Sequence, residues 1–148
     1  MKAVVQRVKK AQVGVNDNVL SRISEGLVVL LGIAAGDGEK EADYLVDKII
    51  HLRVFGDETG KMNRSLLDIH GELLVVSQFT LLGNCRKGRR PSFIDAAPPE
   101  EADSLYRYFC QRAADTGIPV KTGKFQANMD VSLINQGPVT LILESKPR

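Results

Sequence analysis

Apolar residues in this chain change their spacing from alternate positions to every third or fourth and back again. Val4, Val5, Val8, Val13 and Val15 predict strand structure near the start, followed by a turn at Asn16-Asp17-Asn18 and a strand over 19–23. Asn and Asp tolerate left-handed backbone, so this segment reads as a hairpin. Leu27 to Ala34 is a continuous apolar run, the mark of a strand covered on both faces. After Asp37-Gly38, residues Ala42, Leu45, Val46, Ile49 and Ile50 fall on a single helical stripe that leaves Tyr44, Asp47, Lys48 and His51 off it. A short strand is expected at Val54-Phe55, a turn over 56–60, and a long apolar segment from Leu73 to Leu82. A second helix starts near Pro98-Pro99, with Glu100 and Glu101 suited to its positive end. Ala102, Leu105, Tyr106, Phe109, Cys110 and Ala113 form its buried stripe, and Gly117 and Pro119 end it. Strands return over 129–134 and 139–143, with Asn135-Gln136-Gly137-Pro138 as the turn between them. The order predicts an α+β, mixed layered β/β/α fold with two main helices, in a single domain spanning residues 1–148.

Composition narrows the setting more than the chemistry. The 148 residues are 43% apolar and 26% charged, ordinary for a globular chain. No apolar run approaches the ~20 residues of a membrane span, and Gln6 and Arg7 occupy the place of a signal peptide's apolar core. A cytoplasmic protein is expected. Cys85 and Cys110 read as free thiols, and with only His51 and His70 beside them no metal or cofactor is expected.

Three segments carry candidate chemistry. Ser77-Gln78-Phe79-Thr80 interrupts an apolar stretch with polar groups. Burying such groups unpaired costs about 1–3 kcal/mol each, so either an edge strand exposes them or they line a site. Gly137-Pro138 reads as an ordinary turn with a trans bond, since few X-Pro bonds are cis. The run Arg86-Lys87-Gly88-Arg89-Arg90 carries four cations in five residues. It is either a solvated loop or an arm that contacts phosphates.

Ser77-Gln78-Phe79-Thr80-Leu81 and Asn135-Gln136-Gly137-Pro138-Val139-Thr140 resemble the two signature motifs of the D-aminoacyl-tRNA deacylase family. Gln6-Arg7-Val8, Gly60-Lys61-Met62-Asn63, Gly88-Arg89-Arg90-Pro91-Ser92-Phe93, Thr122-Gly123-Lys124-Phe125 and Met129-Asp130-Val131-Ser132-Leu133 extend the resemblance in order across nearly the whole chain. It implies a deacylase-type fold with barrel-like sheets. It also implies a homodimer with active sites at the subunit interface, aminoacyl-tRNA as substrate, and a cis Gly137-Pro138 that enters the partner's site as a clamp. The carbonyls of Gly137 and Pro138 would receive the substrate's α-ammonium and exclude L-amino acids, with Arg7 holding them. Ser77, Gln78, Phe79 and Thr80 would form the catalytic wall, with backbone N–H groups near Gln78 and Phe79 facing the developing oxyanion. Phe125 and Met129, otherwise ordinary core residues, would border the terminal adenosine. Arg86, Lys87, Arg89 and Arg90 would contact tRNA phosphates. Thr80 lacks an obvious base, which favours hydrolysis assisted by the ribose 2′-hydroxyl. Achiral glycine would escape the filter, making glycyl-tRNA a second substrate.

Two other readings compete. A dimeric RNA-binding module without turnover would share the basic loop. A small-ester hydrolase with a Ser or Thr nucleophile would lack its usual Gly-x-Ser-x-Gly elbow here.

Overall fold

The computed structural model describes residues 1–146. A long strand, β1 (Lys2–Val15), organises it. β1 turns into β2 (Asn18–Ile23) through Asn16 and Asp17, whose φ angles of 51° and 63° suit the twist of a tight hairpin. β3 (Gly26–Gly32) runs antiparallel to the first half of β1, from Lys2 opposite Gly32 to Val8 opposite Gly26. Helix α1 (Glu39–His51) follows, then a small hairpin of β4 (Phe55–Gly56) and β5 (Met62–Arg64). β6 (Glu72–Ser77) lies parallel to β3, helix α2 (Pro99–Ala114) packs beside α1, and β7 (Val120–Thr122) lies parallel to β6. β8 (Asp130–Glu144) returns antiparallel along the opposite edge of β1.

This is the expected α+β fold. The sheet curls until Ser21 of β2 donates to the Thr122 carbonyl of β7 (2.7 Å), joining the two ends of the strand order β2-β1-β3-β6-β7. The near-barrel explains why β3 is apolar throughout. Leu27, Val29 and Leu31 meet the helices, while Val28 faces Val8, Val13, Ile23, Leu74 and Val76 inside the curl. All five stripe residues of α1 are buried. On α2, Ala102, Tyr106, Phe109 and Ala113 are buried; Leu105 and Cys110 pack half-covered against the same core.

Three sequence expectations need correction. Asn135 to Pro138 is not a turn between two strands, because β8 is a single strand. Its pairing with β1 jumps from Thr140 opposite Gln6 to Asn135 opposite Val8, so residues 136–139 bulge out against Arg7 alone. The 73–82 segment is not one element: β6 ends at Ser77 and a 3₁₀ turn spans Phe79–Leu82. The expected turn over 56–60 continues into β5, and β7 has no counterpart in the sequence pattern. Each is only three residues long, too short for periodicity to register.

Candidate active site

The end of β6 defines the site. The Gln78 amide donates to the Leu31 carbonyl (2.8 Å), carrying the β3–β6 pairing one residue past Ser77 before the chain turns. The turn packs so closely on Gly32 that a Cβ there would lie 2.7 Å from the Leu82 side chain and 3.0 Å from the Gln78 carbonyl. Its first internal bond runs from the Leu81 amide to the Gln78 carbonyl (3.2 Å). The amides of Phe79 and Thr80 come before that bond, so the turn itself supplies them no acceptor. The sequence expectation placed donors near Gln78 and Phe79. Gln78 spends its N–H on the sheet, leaving Phe79 and Thr80 to point elsewhere.

Beside this turn lies a cavity of about 660 Å³. Val76, Ser77, Gln78 and Phe79 form one wall; Phe93 and the segment from Ala96 to Ala102 form a second; Phe125 to Met129 and Val131 form the third. Phe125 stacks on Tyr106 (6.3 Å between ring centres), and the Tyr106 hydroxyl donates to the Val75 carbonyl (2.6 Å). Burial raises the Tyr106 phenol above its ordinary range and pushes the Cys110 thiol up to about 12, so both are neutral at physiological pH. Met129 is held over Gly123, where a Cβ would meet its sulfur at 2.6 Å, and the Lys124 amide points at that sulfur (3.4 Å). Ser77, Gln78, Phe79, Phe125 and Met129 thus line one cavity.

Thr80 is exposed on the turn, its hydroxyl accepting from the Gln78 side-chain amide (2.5 Å). Neither histidine is its hydrogen-bond partner. His51 is exposed on α1 with Nδ1 2.8 Å from the Asp47 carbonyl. His70 lies two residues before β6, so the length of that strand, about 17 Å at ~3.3 Å per residue, stands between it and Ser77.

Gly137 and Pro138 do not line this cavity. They sit exposed on the β8 bulge, joined by a cis peptide bond, where the sequence alone favoured trans and the resemblance implied cis. Arg7 reaches across from β1: Nε donates to the Gln136 carbonyl (3.2 Å), Nη2 to the Gly137 carbonyl (3.3 Å) and Nη1 to the Val54 carbonyl (2.5 Å). Asn135 closes the neck of the bulge, its amide donating to the carbonyls of Arg7 (3.0 Å) and Val139 (3.1 Å). Sequence reasoning gave Asn135 and Tyr106 no role; Asn135 stood inside a quoted motif, whereas Tyr106 looked like any stripe residue.

Arg86, Lys87, Arg89 and Arg90 are exposed on a loop closed by reciprocal Asn84–Ser92 backbone bonds (2.8 and 2.9 Å). Its two flanks are part of the cavity rim, where the Phe79 and Phe93 rings meet edge-on at 5.2 Å. Among the described residues, none of these four cations enters an ion pair with an acidic side chain. No described helix is long and apolar enough to cross a membrane.

The molecule is a near-barrel α+β protein with a cavity beside the end of β6 and an exposed cationic loop next to it. The family profile for D-Tyr-tRNA(Tyr) deacylase matches residues 4–144. A D-aminoacyl-tRNA deacylase of Geotalea uraniireducens is 61% identical over 98% of this chain and 94% of its own. One from Syntrophus aciditrophicus is 60% identical over 99% and 98%. The chain belongs to the D-Tyr-tRNA(Tyr) deacylase family, a family of enzymes. Among solved structures, that of a protein named "c-Myc DNA Unwinding Element Binding Protein" superposes with a TM-score of 0.94 at 47% identity, covering 99% of this chain and all of that one. A probable eukaryotic D-amino acid tRNA deacylase shares the fold, with a TM-score of 0.83 at 19% identity over 97% and 98% of the two chains.

Proposed function

We propose that residues 1–148 form a single catalytic domain that hydrolyses the ester of D-aminoacyl-tRNA, and of mischarged glycyl-tRNA, in the cytoplasm. The domain works as a homodimer in which the Gly137-Pro138 bulge of each subunit enters the other's cavity. One observation carries this reading. The bulge is fastened by Arg7 and Asn135 and does not line its own cavity, while the Phe79 and Thr80 amides, left without an acceptor by the turn, lie at and beside that cavity's wall. A second chain would bring the two halves together. β8 is an edge strand, and Ile134 and Ile142 on it are 46% and 67% exposed, as an interface strand would require.

In this site, water adds to the ester carbonyl and the developing oxyanion is met by the Phe79 and Thr80 amides. The bond to the ribose 3′-oxygen then breaks, one proton of the attacking water passes to that oxygen, the other goes to solvent, and the amino acid leaves as a carboxylate. The neighbouring 2′-hydroxyl assists the attack, and Thr80, tied to Gln78, positions substrate. Carbonyls of the clamp hold the α-ammonium, a group common to all amino acids, so selection rests on excluding the L-side chain. Phe125 and Met129 border the adenosine, and Arg86, Lys87, Arg89 and Arg90 hold phosphates.

The test is hydrolysis of matched D- and L-tyrosyl-tRNA by the purified protein and by a Gly137→Ala, Pro138→Ala double variant. Release of D-tyrosine alone, lost in the variant, is the expected result. The second reading is a nucleic-acid-binding module, favoured by the unpaired basic loop and by the likeness to a 47%-identical protein named for binding a DNA element. Binding of tRNA without release of either enantiomer would establish it instead.

A further inference from the structure

The β4–β5 hairpin is more heavily tied than its place on the surface requires. Strands of two and three residues with an irregular register do not hold a hairpin by themselves. Here the Asp57 carboxylate accepts four hydrogen bonds: from the Thr59 amide (2.8 Å), the Thr59 hydroxyl (2.7 Å), the Lys61 amide (3.0 Å) and the Asn63 side chain (2.7 Å). Asn63 in turn accepts from Arg53 at 2.7 Å. Arginine only donates and an ionised carboxylate only accepts, so the Asn63 amide has one permitted orientation, and it bridges the two. Arg53 is covalently next to Val54, whose carbonyl is the third acceptor of Arg7. The other two acceptors of Arg7 are the Gln136 and Gly137 carbonyls.

The geometry points to Asp57, Asn63 and Arg53 as positioning residues for the substrate filter, which set the Val54 carbonyl and, through Arg7, the Gly137-Pro138 bulge. This rests on the reading of that bulge as the filter. None of the three lines the cavity beside the end of β6. They act by fixing one of the three points that orient the Arg7 guanidinium, and a guanidinium free to rotate would let the bulge carbonyls shift. Misplacements of about 1 Å at a reacting centre are enough to cost large factors in rate.

The linked pair allows a swap. Asn63→Asp sets two carboxylates against each other. Adding Asp57→Asn restores one donor–acceptor contact between positions 57 and 63 while leaving an oxygen for the Thr59 and Lys61 amides and an acceptor for Arg53. The full-length protein is assayed for the ratio of D- to L-tyrosyl-tRNA hydrolysis, and the Gly137 amide resonance is recorded by NMR. Asn63→Asp is expected to lower the ratio by roughly two- to thirtyfold and to move the Gly137 resonance, and the double swap to restore both. Glu58→Ala, which breaks only the Glu58–Arg64 pair on the same hairpin (2.7 Å), serves as the control with both readouts unchanged. An Asn63→Asp variant that loses thermal stability while keeping its ratio and its Gly137 resonance overturns the inference and leaves the hydrolytic reading intact. If the wild type releases neither amino acid, the hydrolytic reading fails, and the Gly137 resonance alone decides this one.

Discussion

At the scale of single residues, burial separates groups that look alike in the sequence. Cys110 is half-covered on the packed side of α2 with its thiol pushed up to about 12, while Cys85 stands exposed at the start of the basic loop. Thiolate is the reactive form. A maleimide or iodoacetamide time course at pH 7.5 is therefore expected to modify Cys85 alone in the folded protein and both thiols after denaturation. Tyr106 offers a second measurement. Its hydroxyl shares the Val75 carbonyl with the Gly123 amide (3.3 Å), so Tyr106→Phe removes one bond without orphaning the acceptor. The loss in a urea titration should be about 1 kcal/mol, the ordinary net worth of one hydrogen bond. A loss above about 3 kcal/mol would mean that the Tyr106–Phe125 stack had collapsed as well.

At the scale of elements, sequence pattern was legible where one face of a regular element decides burial. The α1 stripe and the Asn16-Asp17 hairpin follow from periodicity and from backbone preferences of the residues themselves. The β8 bulge does not. Gly-Pro between two apolar runs has the same local signal whether the chain reverses there or runs on. What makes it run on is distant: Arg7 and the β1 edge, more than 120 residues away. The motif could be identified as one that matters, but only long-range pairing reveals it as an outward bulge. For the same reason the Gln78 amide could not be assigned to the sheet from sequence, because its partner is Leu31 on another strand. Phe125 and Met129, indistinguishable from core in the sequence, became cavity wall through Tyr106 and Gly123.

The small β4–β5 hairpin carries an element-scale expectation in pH. The Asn63 amide, followed by the Thr59 hydroxyl, holds the Asp57 carboxyl well below the usual carboxylate range. A depressed folded value means the contribution is complete above the unfolded-chain pKa of about 4 and is lost as pH falls through the lower folded one. The Thr59 and Lys61 amide resonances should stay fixed from pH 7 down to about 4 and move only below that. Movement centred between pH 4 and 5 would show that the carboxylate is not held in this way.

For the whole molecule, charge and shape are divided between two regions. A net charge of +2 gives little long-range attraction to a polyanion, so on the proposed reading affinity comes from the loop bearing Arg86, Lys87, Arg89 and Arg90. Each phosphate contact contributes about 0.7–0.9 to the slope of log affinity against log salt. Replacing all four cations by alanine is expected to reduce that slope by roughly three for tRNA binding, with the near-barrel's melting temperature little changed. An unaltered slope would move the nucleic-acid contact elsewhere on the surface.

The reciprocal Asn84–Ser92 bonds have a consequence for how such a protein can diversify. They clamp the base of the loop, so the chain between them can change in composition and length while its two anchors stay where they are. The cavity wall on either side, Phe79 and Phe93, is fixed by the sheet and by ring contact and does not depend on what the loop contains. On the proposed reading, partner choice and chemistry are thereby modular. Grafting residues 85–91 between relatives would then transfer the preference for a nucleic acid while leaving the reaction centre unaltered.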